Sequence, residues 1–229
     1  MFASFIRILL FIYIIMNILE IRNIHIYNLN ASLKIMKDDI NRETLETEIH
    51  NLAPLLLKNM YTHGIDNEDL MKKFSGYMIQ DMGKLLSLKE LNDNYHIYEN
   101  SKIVSDLEID TESIFKLFEN KLTTNRRSSL SLYGGSIQSS LLKNVHNTCA
   151  FTCNSQFTFY LFNPKHSQEI LGKDLQKIKK WAIKIELMKG DILYIPNEWN
   201  YIYKTDESGN LLKTTCDNYF SVFYNFIRG

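Results

Sequence analysis

The sequence predicts an α+β protein, with a first part read mainly as helices and a carboxy-terminal part read as a β-barrel-like unit against which those helices pack. Three observations predict it. Apolar residues recur at helical spacing before Leu122 and alternate with a period of two after Ser129. The second part sets short apolar runs at regular intervals with turn residues between them, as sandwiches and barrels do. Aromatic residues make up 12% of the chain, with 13 Tyr and 13 Phe, a level suited to a β-rich core.

A chain of 229 residues suffices for one sizeable domain, or for one domain with a helical extension. The 26 Lys and Arg residues are balanced by 26 Asp and Glu. A net charge of zero argues against a nucleic-acid binder held by bulk electrostatics, so no nucleic-acid partner is expected. Only 9 Gly and 3 Pro exclude collagen-like and Pro-rich low-complexity chains. The cysteines are Cys149, Cys153 and Cys216, too few and odd in number for a disulfide framework. On one extended strand the first two would have Cα atoms roughly 13 Å apart, at about 3.3 Å per residue. A bridge needs about 7 Å or less, so Cys216 is the one sensible partner for either.

Residues 1–20 read as a signal sequence or a signal anchor/transmembrane helix. Arg7 is followed by an unbroken apolar run from Ile8 to Met16, the order of a secretory leader. Counted from Met1 the segment nearly reaches the roughly 20 residues of a membrane span. No small-x-small cleavage site follows closely: the next residues are Glu20, Ile21, Arg22 and Asn23. The alternative is a buried core helix, which periodicity alone does not separate from a targeting segment. The first reading places the chain in a membrane or the secretory route, with the membrane as its partner. Asn30-Ala31-Ser32 is then a glycosylation sequon.

The domain proper is expected over 33–229, mainly helical over 33–122 and mainly β over 129–229. Asp38-Asp39 before Ile40, and Thr44 before Leu45, offer helix N-caps. Residues 66–69 precede Leu70, Met71, Phe74, Tyr77 and Met78 at helical spacing, and Thr111 is placed to cap a helix carrying Ile114, Phe115, Leu117 and Phe118. Pro54-Leu55-Leu56-Leu57 reads instead as an extended segment joining a sheet. In the second part, Leu130 and Leu132 open the alternation. Phe157, Phe159 and Leu161 continue it, then Ile183, Ile185 and Leu187. A Gly190-Asp191 turn leads into a strand Ile192–Ile195 ended by Pro196, and strands are expected over 200–204 and 219–227.

The stretch Lys189-Gly190-Asp191-Ile192-Leu193-Tyr194-Ile195-Pro196-Asn197-Glu198-Trp199-Asn200-Tyr201 resembles a segment of JmjC-type and cupin-like oxygenase domains. There a Gly-Asp turn and an apolar strand lead to Pro, two residues, an aromatic, one residue and a histidine. Gln156 to Lys165 looks like the family's strand ending in Leu-Phe-x-Pro. Ala53 to Asn59 is similar to its Pro-aliphatic-Lys segment. The order and spacing of the three fit. The resemblance implies a double-stranded β-helix, cupin- or jelly-roll-like, with flanking helices. It also implies Fe(II) held by a His-x-Asp/Glu pair and a distal His, with open positions for 2-oxoglutarate and O₂.

Every ligand position that the resemblance implies is otherwise occupied. The distal His position is Tyr201. The His-x-Asp pair falls on Leu141-Leu142-Lys143, or on Leu142-Lys143-Asn144 with a shift of one residue. The family's cofactor-binding lysine falls near Gln156-Phe157-Thr158. His146, followed by Cys149 and Cys153, does not make a zinc spacing, and is read as a loop histidine before two strand residues. The expectation is therefore a divergent member with no metal, no catalytic residue and no cofactor, in a binding or structural role. Two alternatives stand beside it: an Fe(II)/2-oxoglutarate-dependent dioxygenase, and a metal-free barrel that binds carbohydrate or peptide. Thr158, Asn200, Tyr201 and Tyr203 are the candidate pocket residues; the protein or small-molecule partner is unknown from sequence.

Overall fold

The computed structural model describes residues 6–15, 31–37, 40–62, 67–81, 84–88, 96–119 and 123–218. The chain is α+β, with mostly antiparallel strands in two main sheets and a separate hairpin. Helix α1 (residues 6–15) is exposed along its whole length. Strand β1 (Lys34–Lys37), helix α2 (Arg42–His50), strand β2 (Leu55–Lys58) and helix α3 (Asn67–Lys73) follow. Next come the hairpin β3 (Met78–Asp81) and β4 (Lys84–Ser87), strand β5 (His96–Asn100), and helices α4 (Ser101–Asp106) and α5 (Glu112–Phe118). The region read as mainly helical therefore mixes helices with strands. Its strands escape a periodicity reading because they are four or five residues long, and β2 is buried on both faces so that it does not alternate.

The second part is strand-rich as expected. It comprises β6 (Thr123–Tyr133), β7 (Ile137–Gln138), β8 (Leu142–Lys143), β9 (Thr148–Cys153) and β10 (Phe157–Phe162). Two short helices, α6 (Ser167–Ile170) and α7 (Leu175–Ile178), each adjoin a 3-10 turn. Then come β11 (Ala182–Leu187), β12 (Ile192–Pro196), β13 (Asn200–Thr205) and β14 (Gly209–Asn218). The strand expected over 219–227 lies outside the described residues.

The larger sheet runs β1-β2-β12-β9-β14-β6-β5 and the smaller one β11-β10-β13-β7, with β8 also on β13. They pack face to face. Cys149, Phe151, Leu193, Ile195 and Leu211 of the larger sheet share one core with Phe157, Phe159, Ile185, Tyr201 and Tyr203 of the smaller. The outer face of the larger sheet presents Leu55, Leu57, Leu130, Ile192 and Tyr194 to a second core. Leu45, Leu70, Ile103, Ile114 and Phe118 of α2–α5 complete it. The outer face of the smaller sheet is covered by Ile170, Leu175 and Ile178 of α6 and α7.

Two of the three family-like segments are neighbours. Leu55, Leu56 and Leu57 of β2 pair with Tyr194, Leu193 and Ile192 of β12. Lys58 at the end of β2 donates to Asp191 at 2.6 Å, and that buried carboxylate also accepts the Asn59 and Met188 N–H groups. Gly190 has φ 89°, which an L-residue adopts only with strain, so the Gly-Asp order is what this turn needs.

Helix caps differ in detail from expectation. Asn41 caps α2, accepting from Glu43 N–H, and Thr44 lies inside the helix; Asp38 and Asp39 lie outside the described residues. Helix α3 ends at Lys73, and Met78 opens β3. At α5 the cap bonds come from Asp110, which accepts from Glu112 and Ser113, while Thr111 makes none. Short polar side chains near a helix start compete for one role, and sequence does not rank them.

Candidate functional site

The positions that the resemblance would assign to metal ligands lie at the end of the sandwich where β13 begins and β14 finishes. The β8–β13 pairing sets Leu142 opposite Tyr201 and Lys143 opposite Asn200. Asn144, next along, is 2% exposed and bonded on every side. Its N–H donates to Trp199 O at 2.9 Å, and its Nδ2 donates to Ile195 O at 2.9 Å. Its Oδ1 accepts from His146 N–H at 2.9 Å, and its carbonyl accepts from Glu198 N–H at 2.8 Å. Asn144 thus locks the β8–β9 loop to the β12–β13 turn, where Glu198 has φ 67°. Lys143 is exposed and forms an ion pair with Glu198. Leu141 packs under the small helices.

Tyr201 and Tyr203 point into the space between the sheets. Tyr201 stands edge-on to Phe151 at 5.4 Å, and Phe151 in turn meets Phe159 at 5.2 Å. The hydroxyls of Tyr203 and Tyr133 lie 2.8 Å apart in the core. Burial pushes the Tyr201 phenol far above its ordinary range. It therefore stays neutral at any physiological pH. Thr158 pairs with Glu186 and Lys204, which puts it on the outer face of the smaller sheet. Asn200 pairs with Phe162 on that same outer face, and its Nδ2 donates to Ser167 Oγ at 3.1 Å. The four candidate pocket residues therefore divide, two facing the inter-sheet core and two facing away from it.

A facial triad does not fit these side chains. Leu142 offers no donor atom, Asn144 has spent its amide on structural bonds, and Tyr201 is a buried neutral phenol. A neighbouring imidazole and carboxylate, His146 and Asp217, bond to each other at 2.8 Å, and the second Asp217 oxygen accepts Asn147 N–H at 3.1 Å, while the Glu198 carboxylate is paired with Lys143. Among the described residues, no three His, Cys, Asp or Glu side chains come close enough to hold one ion.

Beside this corner lies a feature that sequence reasoning missed, a polar basin of about 230 Å³. Lys213 pairs with Phe151 and Ser129, and Thr215 with Cys149 and Arg127, so these polar groups share the face of the inter-sheet core. Glu99 closes one wall, accepting from Lys213 at 2.8 Å, and His146 closes another. The Arg127 guanidinium makes no hydrogen bond or ion pair among the described residues. No signal in the sequence marks the basin, because its groups come from β5, β6, the β8–β9 loop and β14. Only the strand register brings them together.

No protein-family model matches the chain, and no curated protein matches it.

Proposed function

We propose that the two sheets are the halves of a double-stranded β-helix of the JmjC/cupin-like kind, and that this barrel binds a ligand rather than catalysing. The strand order supports the first part. From β6 onward the chain passes back and forth between the sheets, except at β7–β8 and at β10–β11, which stay in the smaller one. Taking β7 and β8 as one interrupted strand, the eight positions read first-eighth-third-sixth in one sheet and second-seventh-fourth-fifth in the other. Such an order is the one expected of a long hairpin folded over on itself, as in jelly rolls, and supports that reading.

The observation that carries the second part is Asn144. In one of the two registers that the resemblance allows, Asn144 takes the place of the metal carboxylate, and there this chain uses a neutral amide as a structural clamp. The polar basin beside it supplies a binding surface without a metal. Its size and its mixed hydroxyl, guanidinium and ammonium groups suit a small polar ligand, which also favours the reading of a metal-free binding barrel. The exposed apolar helix α1 supports association with a membrane or the secretory route. Every side chain but Arg7 in it is apolar or aromatic, and a helix without a polar face is stable only when covered. Among the described residues, no helix is long and apolar enough to cross a membrane.

Metal analysis of protein purified anaerobically in excess Fe(II) tests the reading. Substoichiometric iron, unchanged by His146→Ala, is expected. One iron per chain, lost in His146→Ala, would return the dioxygenase alternative.

A further inference from the structure

The whole chain is neutral, yet its charge is not evenly spread. Residues 165–184 hold six lysines, Lys165, Lys173, Lys177, Lys179, Lys180 and Lys184, against two carboxylates, Glu169 and Asp174. The remainder of the chain therefore carries the compensating negative excess. These residues form the helical cover of the smaller sheet and the start of β11, and five of the six lysines are exposed. In the middle of them sits Trp181, half-buried, with Lys180 Nζ 4.3 Å and Lys173 Nζ 5.8 Å from its ring centroid. Between α6 and α7, at a turn where Gly172 has φ 69°, Leu171 stands 75% exposed.

We propose that this face docks on an anionic lipid surface. The proposal rests on the membrane reading above and adds to it the headgroup charge and the face that meets it. Lysines follow a negative surface potential, an indole ringed by cations suits the headgroup level, and a lone exposed leucine at a turn can enter the acyl boundary. Charge complementarity alone would also admit a polyanion such as nucleic acid. Leu171 favours the lipid, because nucleic acid has no acyl layer to receive an aliphatic side chain, whereas an indole such as Trp181 also stacks on bases and suits either.

The test is co-sedimentation of the full chain with vesicles of phosphatidylcholine alone and of phosphatidylcholine mixed with phosphatidylserine. Partitioning onto the mixed vesicles is expected to exceed that onto the neutral ones by about tenfold or more, and to fall as salt rises. The variant Lys165→Glu/Lys173→Glu/Lys177→Glu/Lys180→Glu, all at exposed positions, should remove that excess and keep the residual binding to neutral vesicles. Leu171→Ser should weaken binding to mixed vesicles and leave retention on a single-stranded DNA column unchanged. Equal binding of the unaltered chain to both vesicles would overturn the docking face and leave the membrane reading standing. So would an excess that survives the four substitutions. No binding to either vesicle would overturn both. Binding to mixed vesicles that Leu171→Ser leaves unchanged, together with retention on DNA that the four substitutions abolish, would assign the face to a polyanion instead.

Discussion

Asn144 illustrates how a residue acquires a role from its neighbours. Its amide and its backbone meet four partners on three segments, and it is buried, so removing the side chain leaves the Ile195 carbonyl and the His146 N–H unpaired. Asn144→Ala is expected to lower the unfolding free energy by about 2–3 kcal/mol, read from urea denaturation. Trp199 is 1% exposed in the inter-sheet core, and Trp199→Ala should cost about 3–5 kcal/mol. The cysteines give a prediction in pH. Burial, the largest cause, pushes the Cys149 and Cys153 thiols up to about 12. In the folded chain they stay protonated while the unfolded chain releases its protons above an ordinary thiol pKa near 9. The unfolded state then binds fewer protons, so these groups leave stability unchanged below about pH 9 and reduce it from there to about pH 12. Thiol reagent at about pH 8 should find both cysteines inert in the native protein and reactive in urea.

At the scale of elements, what was legible in the sequence was what repeats locally. The alternation of Phe157, Phe159 and Leu161 is carried by β10, and all three side chains are fully buried. Pro54 before three leucines announces β2, and Gly190-Asp191 announces the turn into β12. Strand β14 was not legible. No apolar alternation marks Lys213 to Asp217, yet the strand lies between β9 and β6 inside the larger sheet. Tertiary pairing decides such a segment: its inward polar groups end at the basin rather than in the packed core. The basin was illegible for the same reason, since its groups lie as far apart in sequence as Glu99 and Lys213 and touch only through register. The Lys58–Asp191 link joins two elements far apart in sequence. Asp191→Ala leaves the Asn59 and Met188 N–H groups without their acceptor and should cost about 2–3 kcal/mol in urea denaturation.

At the scale of the molecule, three cores stack in layers: helices on the larger sheet, the two sheets on each other, and small helices on the smaller sheet. Phe151, Phe159, Tyr133, Tyr201 and Tyr203 fill the inter-sheet layer with aromatic contacts. On the function proposed above, this packing and the Asn144 clamp stand where an iron site would be. Succinate release from 2-oxoglutarate, with Fe(II) and ascorbate present, is the decisive measurement. A rate equal to that of heat-killed protein is expected. Release well above that control, abolished by Tyr201→Phe or His146→Ala, would contradict it.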